Sequence, residues 1–335
     1  MATQASSLAE GRSRRILAIV ALCAATAAGL VVGLTVFEMR GQTTTVPGAV
    51  TTPRPGLPPI QLEFGLRTDP QARALARAQT LLDKEHRAAQ ASAIFRRYHS
   101  VEAQLGLMFT EWRGPSSLPA VKRLVALHPD DPVALLNLGW ADYWAGRNAD
   151  ALAAWQKTAS RNADSPYGVD AEDALHSRYP IPGLPVIETG LATPRAIARL
   201  APARQLTALK RAAAAGGADA KLVYGTALWN LRMPVSAERQ FAAAAKLAPH
   251  DPLAQTLAAV GLFSKANPVR AFGHLGPLTA VFRRSPVVEF HLGVLLLWID
   301  ERRKAVEHLR SAVADGPQTV YAKTARQLLA GIGNK

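Results

Sequence analysis

Apolar residues along this chain recur at three- and four-residue intervals, and their densest cluster lies in SPVVEFHLGVLLLWIDERRKAVEHLRSAVADGP, from Ser285 to Pro317. The apolar run from Val287 to Ile299 is too short to cross a bilayer, which needs roughly 20 residues, and Glu289 and His291 interrupt it. The pattern predicts a helix that hides itself in protein. Alanine and leucine dominate, aromatics make up only 6%, and alternating β-branched runs are few, so the folded part is expected to be all-α.

Helix starts at Ala218, Pro252 and Pro286 stand 34 residues apart. In the unit from Ala218, Tyr224-Gly225 fall in the first helix, Ala237, Phe241 and Ala244 in the second, and Pro249 at its end. The unit from Pro286 places Leu292-Gly293, Ala305, Leu309, Ala312 and Pro317 at the same offsets; the unit from Pro252 keeps Ala258-Ala259 and Ala271 but has no terminating proline on schedule. This spacing resembles the tetratricopeptide repeat, TPR, a helix-turn-helix unit. Small residues let the two helices approach closely, larger apolar ones fill the groove between them, and proline stops the second helix. One pair cannot bury its apolar side alone, so neighbouring units must stack.

A second array lies upstream. The unit from Pro132, DPVALLNLGWADYWAGRNADALAAWQKTA, carries Leu138-Gly139, Gly146, Ala151 and Trp155. A looser unit from about Tyr98 has Leu105-Gly106, with Pro119 awkwardly near its second helix, and the stretch from Asp69 to Tyr98 reads as a degenerate helical pair. The expected organisation is thus a TPR-like helical solenoid in two short arrays, 69–179 and 194–335, joined by a proline-rich crossing segment at 180–193. One helix is expected from Asp164 to Tyr179, another from Pro194 to about Ala215, and a capping helix from Gln318 to Ala330. Asp69-Pro70, Asp130-Asp131-Pro132 and Asp251-Pro252 are read as helix N-caps followed by the preferred first residue, and not as catalytic carboxylates.

From Ile16 to Phe37 the chain carries no charge and is long enough for a transmembrane helix (16–37), with Arg12, Arg14 and Arg15 before it. The positive-inside rule then places residues 1–15 in the cytoplasm and the C-terminal domain outside it, in a single-pass cell-membrane protein. A cleaved signal peptide with Ala25-Thr26-Ala27 as its processing site is the competing reading, against which the apolar run continues from Leu30 through Phe37. Residues 38–68, rich in threonine, proline and glycine, read as a spacer.

Charge and chemistry narrow the function classes. The net charge of +14 is spread over short arginine clusters without a continuous basic face, so no nucleic acid is expected. Cys23 is the only cysteine, which excludes an internal disulfide and a cysteine metal cage. No GxxxxGK[ST], GxSxG or HExxH occurs, and His291 with His308 lack a third ligand; no catalytic residue, cofactor or metal is expected. Function then rests on surfaces. The TPR resemblance implies that first helices line a concave groove, which assigns Leu136, Trp140, Tyr143, Leu222, Trp229, Phe263 and Phe290 to its wall. Such an apolar, aromatic-edged wall suits a hydrophobic peptide or amphipathic helix. Two other readings stay open: Lys221, Gln255 and Glu289 at the usual packing position shift core duty to Leu222, Thr256 and Phe290, or Ile181, Leu184, Val186 and Ile187 of the crossing segment fill a groove from within. The leading expectation is a membrane-anchored extracytoplasmic adaptor resembling, in layout, single-span bacterial TPR proteins of the cell envelope. The alternatives are an enzyme accessory using Arg178, Glu188 and Thr189, and a self-associating structural protein.

Overall fold

The computed structural model describes residues 52–333. The segment 16–37, with its expected membrane span, lies outside them; among the described residues no helix is long and apolar enough to cross a membrane. These residues form sixteen α-helices and no strand. The first array comprises α1 (Pro70–Asp83), α2 (Ala88–Phe95), α3 (Val101–Thr110), α4 (Leu118–Leu127), α5 (Pro132–Trp144), α6 (Asn148–Arg161) and α7 (Pro166–Leu175). After a helix-free crossing come α8 (Arg195–Ala198), α9 (Pro202–Ala215), α10 (Ala218–Asn230), α11 (Pro234–Leu247), α12 (Pro252–Val260), α13 (Val269–Val281), α14 (Pro286–Trp298), α15 (Arg302–Asp315) and α16 (Val320–Gly333).

Helices α1, α3, α5 and α7 pack on one another in series, as do α10, α12 and α14, while the intervening helices back them; this is a helical solenoid. Starts at Ala218, Pro252, Pro286 and Val320 keep the 34-residue spacing through the last helix. Local chemistry sets these starts: Asp69, Asp131 and Asp251 accept from the backbone N–H of Ala72 (2.9 Å), Ala134 (3.0 Å) and Leu253 (3.0 Å), each just before a proline at the first helical position. The helix of the LGVLLLWI cluster, α14, buries every residue from Val287 to Trp298 except Glu289, covered by α12, α13 and α15.

Close approach within a pair depends on glycine. A Cβ on Gly139 would lie 2.2 Å from Trp155, one on Gly225 2.6 Å from Phe241, and one on Gly293 2.9 Å from Leu309, each partner being on the second helix of the same unit. Gly106 departs from this scheme, for its Cβ would meet Phe95 of the preceding helix at 2.3 Å.

Two expectations change. The single helix expected from Pro194 to Ala215 is two, α8 and α9, with Ala201 extended between them (φ −63°, ψ 149°), because the ring of Pro202 disfavours helical geometry in the residue before it. The described part of the expected spacer is also no free linker: Pro58, Ile60 and Leu62 are buried against the first array. Pro119, by contrast, is accommodated in the first turn of α4, where a missing N–H costs nothing.

Replacing Gly139 by alanine should lower stability by about 1–3 kcal/mol through the clash with Trp155, read as a drop in the urea midpoint. Gly273, on α13 with nothing within 4 Å of an added Cβ, is the control: alanine there should raise the midpoint slightly through helix propensity.

Candidate functional site

Both arrays hold a stretch of the chain's own non-helical backbone against their inner helices. In the first, residues 54–64 lie across α1, α5 and α7. The Asn137 amide, on α5, accepts from the Gln61 N–H (2.9 Å) and donates to the Gln61 carbonyl (2.9 Å). Two residues on, the Tyr167 hydroxyl of α7 accepts from the Glu63 N–H (3.3 Å) and donates to its carbonyl (2.9 Å), while Gln79 of α1 donates to the Ile60 carbonyl (3.0 Å). Pro58, Ile60 and Leu62 are buried on alternate positions, with Phe64 partly buried against the same core. A side-chain period of two with main-chain groups paired at Gln61 and Glu63 is the pattern of extended backbone, here paired with side chains and not with a neighbouring strand. We call residues 54–64 the strap.

Charge fixes both ends of the strap. The Arg54 guanidinium lies 3.2 Å from the centre of the Tyr143 ring and bonds the Tyr143 carbonyl, and the Arg54 N–H donates to the Trp144 carbonyl (2.8 Å). At the other end Glu63 accepts from Arg232 (2.9 Å), which also pairs with Asp170 of α7. Arg232 sits in the turn between α10 and α11 at φ +58°, a conformation few non-glycine residues adopt, so this one side chain from the second array reaches the strap and the first array together. One cation thus serves two carboxylates. Burial, with Glu63 and Asp173 nearby, pushes the Asp170 carboxyl up against the pull of the guanidinium, and Arg232 stays cationic.

The crossing segment fills the second array. Trp298 and Trp229 donate their indole N–H to the carbonyls of Gly183 (3.0 Å) and Pro185 (2.7 Å), and Tyr321 donates to that of Thr189 (3.1 Å). Buried His291 accepts from the Glu188 N–H at Nε2 (3.2 Å) because its Nδ1 faces the Val287 carbonyl (2.8 Å), which requires the proton on Nδ1 and a neutral ring. Burial lowers its pKa to about 4. Lys265 reaches the Ile181 carbonyl (2.6 Å) and Asp173 (2.6 Å), and Asp173 accepts from the Gly183 N–H (2.7 Å).

The residues assigned to a groove wall divide accordingly. Leu136, Leu222 and Phe290 are wholly buried, Leu136 against Ala151 and Trp155 and Phe290 beside His291 and Tyr321. Thr256 is buried with them, while the polar neighbours turn to nearby helices: Lys221 to the Ala213 carbonyl, Gln255 to that of Ala245 (3.0 Å), and Glu289 to His308 (2.7 Å). Tyr143 meets the strap through Arg54, and Trp140 sits edge-on to Tyr143, Trp144 and Trp155. Trp229 holds the crossing segment. Phe263 is buried at the wall of a cleft of about 170 Å³ near Gly183 and Leu184, below the roughly 300 Å³ of an ordinary ligand pocket. Of the residues assigned to an enzymatic alternative, Arg178 bonds Tyr179, Glu188 accepts from Thr324 (2.9 Å), and Thr189 accepts from the Leu191 N–H (3.0 Å). Among the described residues no three metal-ligating side chains converge.

Asn137, Tyr167, Gln79 and Arg232, which hold the strap, were absent from the sequence-based assignment. The signal for Asn137 was a lone amide within the apolar VALLNLGW run of α5. Nothing in the sequence marked the other three.

No family model matches the sequence, and no curated protein matches it. Among solved structures the chain is similar to YrrB, described as a TPR protein with an unusual peptide-binding site, at 18% identity and TM-score 0.31, covering 63% of this chain and 99% of that one. It is also similar to the TPR2AB domain of yeast Sti1 in complex with pHSP90 (12% identity, TM-score 0.28, 77% of this chain and 95% of that one). A third is Acl4, an assembly chaperone of RpL4 (18% identity, TM-score 0.25, 79% and 99%). The repeat is TPR-like. At these TM-scores the likenesses carry no weight of their own, and the repeat rests on its 34-residue spacing and its glycine contacts.

Asn137→Ala should leave both main-chain groups of Gln61 unpaired and loosen the strap by about 1–3 kcal/mol, seen as faster amide hydrogen exchange over residues 57–64 with the exchange of α14 unchanged. His291 gives a pH signature. Its folded value near 4 lies below the ordinary 6.5, so the unfolded chain takes up the proton first and stability falls as pH drops from about 6.5 towards 4. At about pH 5 the loss should be on the order of 2 kcal/mol, and His291→Gln should abolish that part of the slope in urea titrations.

Proposed function

We propose that this chain is a protein-interaction scaffold that recognises extended peptide backbone, is not an enzyme, and is held at a membrane by residues 16–37 with its helical arrays on the extracytoplasmic side. The observation that carries the recognition is the Asn137 amide, which pairs with both main-chain groups of one residue of an extended segment. Such a pairing reads backbone without regard to side chain, and buried pockets at alternate positions then supply selectivity. The repeated use of the device supports the reading: Tyr167, Trp229, Trp298, His291 and Tyr321 also turn their polar atoms towards main-chain groups of non-helical segments. The membrane attachment is supported by the charge-free run Ile16–Phe37 and the arginines before it.

The test is photocrosslinking in cells from a reactive residue at Trp140 or Trp229, with exposed Lys323 as control. A second protein captured from Trp140 and not from Lys323 is the expected result, while Trp229, buried under the crossing segment, should capture only residues 180–190. Capture of only residues 54–64 from Trp140 would remove the interaction surface. Attachment is tested separately: alkaline carbonate should leave the full chain in the membrane pellet and release a chain lacking residues 16–37.

A further inference from the structure

The two self-occupied grooves differ in how their occupants are tied. The crossing segment runs from α7 to α8 and is bound at both ends, and Lys265, Asp173, Trp229 and Trp298 fasten it at the junction between arrays. It cannot leave without separating the arrays. The strap precedes the first described helix and joins α1 through a short turn, in which the Arg67 N–H donates to the Phe64 carbonyl (2.9 Å) and Gly65 stands at φ +52°. Its other contacts are side chains reading main chain, apolar pockets, and one charge contact at each end.

We propose that the strap is an exchangeable self-ligand, and that the groove over α1, α5 and α7 takes in its place a foreign extended peptide of matching chemistry. That chemistry is an arginine ahead of an apolar-x-apolar-acidic-apolar core, as in Arg54 and Ile60-Gln61-Leu62-Glu63-Phe64. Each requirement has a receiver in place. The Tyr143 ring takes the guanidinium, the buried sites of Ile60 and Leu62 take the apolar residues, Asn137 and Tyr167 take the backbone between and after them, and Arg232 takes the acid. The acid is the most selective element, because Arg232 already serves Asp170, and a cationic residue at this position would place like charges together in a partly buried site. Pro58 and Pro59 keep the approach to the core extended before binding, which lowers the ordering cost of the strap and of any rival built like it. A tethered ligand acts at an effective concentration in the millimolar range, so a foreign peptide binds the resting chain weakly and well only when the strap is out.

This inference rests on the peptide-reading scaffold proposed above, but the two fail separately: the cellular crosslink asks whether any partner meets the groove, and the following experiment asks whether the strap yields its place. The probe is a fluorescein-labelled peptide of residues 54–66, RPGLPPIQLEFGL, titrated by anisotropy into the full chain and into a full chain with Ile60→Asp and Leu62→Asp in the strap, whose fold is verified by circular dichroism. Binding should be roughly tenfold or more tighter in the substituted chain than in the unaltered one. Asn137→Ala in that background, or Glu63→Lys in the peptide, should each weaken it at least fivefold. If the doubly substituted chain does not fold, a protease site placed between Gly65 and Asp69 allows the strap to be cut after folding and diluted away before titration. A folded, strap-free chain that ignores the peptide overturns the proposal, and so does equal binding of a scrambled or Glu63→Lys peptide. A chain that dimerises with rising concentration, and stops doing so when Ile60 and Leu62 are changed, would make a second copy the occupant and overturn the assignment to a foreign peptide.

Discussion

Backbone that is buried outside a helix must find hydrogen-bond partners from somewhere other than itself, and the interior of this protein is organised around that constraint. Helices satisfy their own amides and carbonyls, so a solenoid needs only to bury apolar faces. The strap and the crossing segment bring in N–H and C=O groups that no helix pairs. Asn137, Tyr167 and Gln79 meet the first set; Trp229, Trp298, His291 and Tyr321 meet the second. Each donor or acceptor is polar in a wall that is otherwise apolar. Left unpaired, each such group would cost about 1–3 kcal/mol.

The same requirement accounts for the electrostatics. His291 is neutral because its two ring nitrogens are committed, one to the Val287 carbonyl and one to the Glu188 N–H, in a place too buried for a second proton. Arg232 is held at a positive φ where it can answer Glu63 of the strap and Asp170 of α7 at once. Asp164 caps α11 by accepting from the Ser236 N–H (2.9 Å), so the closing stretch of the first array also terminates a helix of the second. The joint between arrays therefore adds directional polar contacts to its apolar packing.

This division has a functional side. A groove that pairs with its own chain through backbone underlies the proposed recognition of extended peptide, and what each occupant joins separates the crossing segment from the proposed self-ligand. The crossing segment, joined at its two ends to α7 and α8, belongs to the architecture. The strap joins only α1 among the described helices, and its apolar, acidic and basic positions define the proposed ligand.

The sequence by itself determined the helices and their pairing. Gly139, Gly225 and Gly293 opposite Trp155, Phe241 and Leu309, aspartate before proline at three helix starts, and a 34-residue spacing are local or short-range signals, readable because a helix repeats its own environment every few residues. The exception at Ala201 was local too, since Pro202 announced the break. Only the tertiary structure decided what fills the grooves. Asn137 and Gln61 are separated by 76 residues, Tyr167 and Glu63 by 104, and Arg232 and Glu63 by 169. Their meeting leaves no periodic trace, because main-chain recognition places no demand on the side chain being recognised. Leu222 and Phe290 look alike as wall or as core in a one-dimensional pattern, and it is the neighbouring helices, once stacked, that bury them.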